Sequence, residues 1–187
     1  MSFTLLGILN SQAAGAGGAG AYDLLETTTL TSSASSVTFS GLGSYSDYKH
    51  LQIRYVARGS TLSTIHPAIQ FNADTGSNYY WHYLNGNGSS VNSGGQSQDR
   101  IYIGQINAIP GESNNYGAAV LDILDFSNPN KNTTTRSLSG VYNASFTRVM
   151  FRSGLWNNTA AITSLSIFTS PYDLEPGSRF SLYGIKG

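Results

Sequence analysis

The sequence predicts an all-β protein, an antiparallel β-sandwich of the jelly-roll kind that carries an extended N-terminal arm. The first observation is composition, since 27 Ser, 21 Gly, 16 Thr and 15 Asn accompany 22 aromatic residues in a chain of 187. Small polar residues with many aromatics are typical of short strands joined by turns. The second observation is a two-residue alternation of apolar and polar side chains, and the third is the recurrence of turn clusters between such runs.

Strand-like segments begin after residue 21 and continue to the C terminus. In the clearest segment, residues 50–58, every second side chain from Leu51 to Ala57 is apolar or aromatic, which indicates a half-buried strand. Turn clusters rich in Asn, Gly and Ser, at 85–90 and 127–132, separate such runs. The other predicted strands are residues 24–30, 36–40, 66–72, 79–84, 100–106, 118–125, 137–142, 147–152, 161–168 and 178–185.

Residues 1–21 differ from the rest and are predicted to form an arm, with residues 22–187 forming one β-sandwich domain. The arm consists of a short apolar stretch followed by a Gly- and Ala-rich run. Glycine and alanine at this density pack no core and behave as a flexible tether. We expect the apolar stretch to pack against another chain during assembly. Its large side chains are Phe3, Leu5, Leu6, Ile8 and Leu9.

Composition and charge exclude several classes of protein. Ten basic and ten acidic residues cancel, so the chain lacks the basic excess of a general nucleic-acid binder. The absence of cysteine excludes disulfides and thiolate metal sites. No apolar run reaches the roughly 18 residues of a membrane-spanning helix, so no membrane insertion is expected. The N terminus lacks the basic residues of a secretory signal, and we expect a protein made and used without export.

Two short motifs match known chemistry but lack its context. Residues 15–20 fit the GxGxxG dinucleotide fingerprint, yet no strand precedes them and no helix follows, so we interpret them as tether. Residues 74–77 read Asp-Thr-Gly-Ser, as in aspartic proteases, which need a second carboxylate to share a proton. The chain has no second copy, and Asp close to Gly favours a turn, so we interpret Asp74 as a turn residue.

The remaining polar residues form no recognisable catalytic group. His50, His66 and His82 lack the i, i+2 or i, i+4 spacing of a metal site. The carboxylates are few and dispersed, and no Gly-x-Ser-x-Gly elbow occurs. The sequence therefore predicts a non-enzymatic protein with no catalytic residue, no cofactor and no histidine metal site. Calcium in an Asn/Asp turn stays open, because such turns supply oxygen ligands.

The aromatic run at residues 79–83, Tyr-Tyr-Trp-His-Tyr, supports two interpretations. Alternation places its first, third and fifth residues on one face, where they would pack the core of the sandwich. The second and fourth residues then lie on the opposite face. In the other interpretation, exposed aromatic residues form a platform that stacks on a sugar ring. The candidate glycan contacts are Tyr80, His82 and Trp156.

Five segments carry a resemblance to a known group of proteins: 22–30 (YDLLETTTL), 34–40 (ASSVTFS), 48–54 (YKHLQIR), 80–86 (YWHYLNG) and 177–186 (GSRFSLYGIK). On these segments the chain resembles small virion structural proteins of tailed bacteriophages, several of them from cyanobacterial and marine hosts. The resemblance covers most of residues 22–187. It consists of strand and turn signatures, so it implies no catalytic residue.

The resemblance implies a protein of the virion, assembled in the host cytoplasm, and we expect a capsid decoration (cement) protein anchored by its arm. Expected partners are other copies of the chain, as a homotrimer by resemblance, and the major capsid protein or the tail and baseplate proteins of the same virion. The alternative is a receptor-binding module of a tail fibre or baseplate that recognises host-surface polysaccharide. A polysaccharide hydrolase is the third hypothesis, which the lack of an acid/base pair disfavours.

Overall fold

A computed structural model describes residues 21–60, 64–108, 110, 112–144 and 146–187. Within these residues two antiparallel sheets pack face to face, which confirms the predicted all-β sandwich. A short 3₁₀ turn, Leu42–Tyr45, lies between the second and third strands. The strands are β1 (Tyr22–Thr29), β2 (Ser36–Ser40), β3 (His50–Ala57), β4 (Ala68–Phe71), β5 (Tyr79–Gly86), β6 (Val91–Gln98), β7 (Ile101–Tyr102), β8 (Gly117–Leu124), β9 (Thr133–Asn143), β10 (Phe146–Trp156), β11 (Ser164–Phe168) and β12 (Arg179–Ile185).

The two sheets differ in width. The large sheet has eight strands in the order β1-β12-β3-β8-β9-β10-β5-β6, and the small sheet has four in the order β2-β11-β4-β7. A simple jelly roll has eight strands divided between two sheets, so the jelly-roll connectivity stays a prediction here. The predicted arm also stays a prediction, since its anchoring residues lie outside the described part of the chain; they are Phe3, Leu5, Leu6, Ile8 and Leu9.

Two-residue alternation creates the core between the sheets. In β3 the residues predicted to face inward are buried, with Leu51 and Ile53 completely inaccessible to solvent. Opposite them, the small sheet contributes aromatic side chains that meet those of the large sheet. The ring of Phe71 in β4 lies 6.3 Å from that of Tyr79 in β5 and 5.5 Å from that of Trp156 in β10. These contacts join the two sheets at the β5–β10 end of the sandwich.

Strand β6 is the one that alternation did not predict. It reads Val-Asn-Ser-Gly-Gly-Gln-Ser-Gln, with a single apolar side chain, so it carries no burial signal. It forms because β5 pairs with it along its whole length, from Tyr79 opposite Gln98 to Gly86 opposite Val91. The turn between them, which the sequence did predict, is fixed by Asn87, whose Oδ1 accepts the backbone N–H groups of the two serines that follow at 3.0 and 2.7 Å.

Gly154 of β10 sets how closely the small sheet approaches the large one. A Cβ atom at this position would lie 2.6 Å from Thr135 Oγ1 and 2.7 Å from Ile101 Cγ2. The side chain of Ile101, in β7, therefore occupies the space that any other residue would need. The small sheet ends at β7, and past this edge the inner faces of β5, β6 and β10 line an open cavity.

We predict that Gly154→Ala destabilises the domain by about 1–3 kcal/mol, because the added methyl overpacks a tight contact between sheets. Gly140→Ala is the matched control, since nothing lies within 4 Å of a Cβ atom at that position in the neighbouring strand β9. Urea denaturation of both variants measures the difference. Equal unfolding midpoints for the two variants would show that Gly154 does not set the spacing.

Candidate binding sites

The predicted turn at Asp74 is confirmed, and the carboxylate has a further role that the sequence did not reveal. Asp74 Oδ1 accepts the backbone N–H of Gly76 at 2.8 Å, which closes the turn. Its Oδ2 accepts the Asn78 amide at 2.9 Å and the indole N–H of Trp156 at 2.8 Å. These three donors hold the pKa of Asp74 below its usual range, with Asn78 the largest cause. The residue therefore anchors the end of β10 to the β4–β5 turn.

Trp156 is not available as a sugar platform. Only 1% of its surface is exposed, and its ring packs against Phe71 and Tyr79. Alternation along β10 places it inward, in register with Tyr79 on the adjacent strand. The candidate assignment of Trp156 to glycan contact is therefore wrong in this structure, because the side chain belongs to the core.

The aromatic run in β5 divides between the two faces of the sheet as alternation predicts. Tyr79 and Trp81 are buried on the inner face, whereas Tyr80 is 41% exposed and His82 is exposed on the outer face. The His82 ring lies over Gly95 of β6, where a Cβ atom would come within 2.3 Å of its Cδ2. Tyr80 and His82 are thus accessible on the outer face, whereas Trp81 and Tyr83 on the inner face line a cavity.

A cavity of about 360 Å³ lies on the inner face of the large sheet beside β7, and we call it the Arg152 pocket. Its position follows from the difference in sheet width, since strand β7 ends the small sheet while β5 and β6 continue the large one. Alternate residues of β5, β6 and β10 supply most of its lining. The lining residues are His66, Trp81, Tyr83, Asn85, Gln96, Gln98, Tyr102, Arg148, Met150 and Arg152.

Arg152 is the dominant charge in this pocket, although it is only 4% exposed. Its guanidinium carbon lies 5.3, 5.7 and 5.9 Å from the ring centroids of Trp81, Tyr83 and Tyr102. Such rings attract a cation, but none of the lining residues is acidic. One guanidinium nitrogen donates to His66 Nδ1 at 2.9 Å, whereas Nε and the remaining terminal nitrogen have no hydrogen-bond partner in the structure.

Burial determines the protonation of the two residues that meet in the pocket. Desolvation lowers the pKa of Arg152 to about 10, so the guanidinium stays charged at neutral pH. Desolvation, followed by the neighbouring charge of Arg152, lowers the pKa of His66 to about 4. His66 is therefore neutral at pH 7. Its Nδ1 lies 2.9 Å from an Arg152 nitrogen and 3.2 Å from the Gly104 carbonyl oxygen. Because arginine only donates and a carbonyl only accepts, Nδ1 serves Arg152 in the tautomer with the proton on Nε2 and Gly104 in the other.

Two further polar atoms of the pocket are buried without a hydrogen-bond partner among the described residues. They are the indole N–H of Trp81, a donor, and Oδ1 of Asn85, an acceptor. On the rim, the Gln98 amide donates to Gln96 Oε1 at 2.6 Å. Native proteins satisfy nearly all buried polar groups, so such a concentration of unpaired groups around one cavity points to a missing ligand or to water.

The opposite face of the large sheet carries an apolar surface, which we call the outer apolar patch. Val120, Leu138, Phe151 and Leu84 stand directly opposite one another on β8, β9, β10 and β5. They are 40%, 56%, 48% and 52% exposed. A second row alongside them comprises Val56, Ala118, Gly140 and Val149. Eight uncharged residues thus cover the middle of this face.

The described part of the chain contains no cluster of metal-ligating side chains, and its three histidines lie apart. No group of three or more His, Asp or Glu side chains there is arranged to hold a metal ion. Of the three histidines, His66 lies in the pocket, His82 on the outer face, and His50 beside Asp125 at 3.6 Å. Among these described residues, no helix has the length and apolarity to cross a bilayer.

Comparisons of the chain with protein-family models, with curated proteins and with solved structures give no match.

We predict that Asp74→Asn lowers the free energy of unfolding by about 1–3 kcal/mol, because one amide oxygen cannot replace two carboxylate oxygens that accept three N–H groups. Trp156 fluorescence and urea denaturation report the loss. Asp47→Asn, on an exposed side chain, is the control and should leave the midpoint unchanged. An Asp74→Asn variant with the wild-type free energy of unfolding would show that the hydrogen bonds of Asp74 do not stabilise the domain.

We also predict that the domain loses stability as the pH falls from about 6.5 to about 4, because the unfolded chain protonates His66 in this range while the folded pocket resists the charge. His66→Gln should flatten that part of the stability profile. His82→Gln removes an exposed histidine and should retain the slope. Denaturation midpoints at intervals from pH 4 to 7 measure it, and an unchanged slope in His66→Gln would contradict the assignment.

Proposed function

We propose that this chain is a non-enzymatic structural protein of a tailed-bacteriophage virion, with capsid decoration as its role. The observation that carries the proposal is the outer apolar patch. Soluble monomers rarely leave a continuous apolar surface of this kind, and such patches usually mark contacts with other proteins. The phage assignment itself rests on the resemblance of the strand and turn segments.

The partner that best fits the patch is a second copy of the same chain. The patch contains no charged side chain, so a complementary surface must also be uncharged to avoid burying an unpaired ion. An identical patch meets this requirement, and self-association through one repeated surface is the commonest way that soluble chains assemble. The N-terminal arm would add a second attachment, to the major capsid protein beneath or to a neighbouring copy.

The second candidate function is a tail fibre or baseplate module that binds host polysaccharide. It is favoured by the exposed Tyr80 and His82 on the outer face and by the Arg152 pocket on the inner one. An aromatic pair at the surface can stack on a sugar ring, and a pocket with polar groups can orient one. This function differs from decoration in copy number, because a capsid carries its decoration protein in far more copies than a tail carries its fibres.

Two measurements test the proposal. Quantitative mass spectrometry of purified particles should find the chain in the range of hundreds of copies, comparable with the major capsid protein. Light scattering after gel filtration should show an oligomer for the wild type and a smaller species for Leu138→Asp, since a carboxylate in the patch would be buried unpaired.

Thr134→Asp places the same charge on the outer face of β9 outside the patch, and it should leave the oligomer intact. A wild-type monomer would refute association through the patch. A copy number of a few dozen or fewer would refute capsid decoration and support the tail assignment.

A further inference from the structure

The Arg152 pocket contains a charge that no described acidic side chain neutralises. Only 4% of the surface of Arg152 is exposed, none of the residues that line the pocket is acidic, and two of its guanidinium nitrogens have no hydrogen-bond partner among the described residues. Buried charges are normally paired, because removing an ion from water costs several kcal/mol. An unpaired one beside an open cavity is a natural site for an anion.

The charged side chains that line the pocket are all positive. A second arginine, Arg148, also lines the pocket, and the histidine in the lining, His66, is neutral. A guanidinium matches the planar, two-oxygen geometry of a carboxylate particularly well. The cavity therefore selects a negatively charged ligand, and carboxylate is the group that the dominant residue fits.

The other unpaired polar groups of the lining indicate a ligand that also carries a hydrogen-bond donor. Trp81 Nε1 needs an acceptor and Asn85 Oδ1 needs a donor, and a hydroxyl group supplies both. A bare carboxylate or a sulfate ion would leave Asn85 Oδ1 unsatisfied, because a fully ionised oxyanion only accepts hydrogen bonds. The rings of Tyr83 and Tyr102 add an apolar surface for the C–H face of a sugar. The volume of about 360 Å³ lies within the range of small-molecule sites.

We propose that the Arg152 pocket binds a carboxylate-bearing sugar residue, with the carboxylate on Arg152 and the hydroxyl groups on Trp81, Asn85 and the rim glutamines. This inference goes beyond the structural role and does not depend on it. It supplies the second candidate function with a ligand class, an acidic polysaccharide. The site is formed by inner-face residues, so binding there leaves the outer apolar patch free.

The test uses the whole protein and its own tryptophans. Trp81 lines the pocket, whereas Trp156 is buried in the core and serves as an internal reference. D-glucuronate should change the fluorescence in a saturable way, and its uncharged methyl ester should bind at least about tenfold more weakly through loss of one charged hydrogen-bonded contact. Sulfate should also bind more weakly than glucuronate, since a fully ionised sulfate offers no hydroxyl donor to Asn85.

Variants separate recognition from folding. Arg152→Met should abolish the glucuronate response without lowering the urea midpoint, because methionine replaces an unpaired buried charge with an apolar side chain of similar length. Arg136→Met is the control; it removes an arginine that pairs with Asp122 on the outer face, and it should bind glucuronate as the wild type does.

Three results would overturn the proposal. The first is no saturable response to glucuronate or to N-acetylneuraminate at tens of millimolar. The second is binding of the methyl ester or of sulfate as strong as that of glucuronate; the first would show that the carboxylate is not recognised, and the second that the sugar hydroxyl groups are not. The third is a wild-type response in Arg152→Met. The comparison of glucuronate with its ester needs no variant, so it decides the matter even if Arg152→Met does not fold.

Discussion

An eight-stranded sheet that faces a four-stranded one cannot have its whole inner surface covered. This difference in width determines which inward side chains form the core and which line the pocket. Where the small sheet is present, aromatic and branched side chains interlock and exclude water. Where it ends, at the short strand β7, the same alternation continues to direct side chains inward, but among the described residues no further strand of the small sheet covers them. Arg152 and Tyr83 occupy that margin and form the next inward-facing pair after Gly154 and Trp81, where the glycine makes room for Ile101.

Strands β5 and β10, which meet at this margin, contribute side chains both to the outer apolar patch and to the Arg152 pocket. On β10, Phe151 points outward into the apolar patch and Arg152 points inward into the pocket, although the two are adjacent in sequence. On β5, Leu84 and Asn85 divide in the same way. A single substitution can therefore alter one surface without touching the other. The proposed association through the patch and the proposed ligand binding in the pocket would therefore depend on separate sets of side chains of the same strands.

Sequence reasoning recovered most of the fold because most strands bury one face, and burial leaves a two-residue pattern that can be read directly. The inward set of β3 from Leu51 to Ala57 is an example. It failed for β6, whose polar side chains bury little and whose pairing comes from β5. It also misplaced Trp156, because the predicted strand 147–152 stopped short of this residue, whereas β10 continues to Trp156 and turns its side chain into the core.

The Arg152 pocket could not be predicted either, although its sequence held a clue. Arg152 is in phase with Met150 and Trp156, so it had to face inward, and an inward arginine is rare enough to mark a site. Whether it meets a carboxylate, a core or a cavity depends on where the small sheet stops. That boundary depends on the two-residue length of β7 and on the contact between Gly154 and Ile101. Both depend on tertiary packing, which leaves no periodic pattern in the local sequence.

The margins of the large sheet bear on how copies of the chain can meet. At one edge, β1 is interrupted by a bulge between Leu24 and Glu26. At the other, β6 offers two adjacent glycines and polar side chains, so a strand added along it would gain almost no buried surface. Open-ended growth of a sheet from copy to copy, the route to fibrils, is thus discouraged at both margins. The proposed association through the outer face would instead bury the surface that drives it, and the resulting assembly would be closed and finite in size.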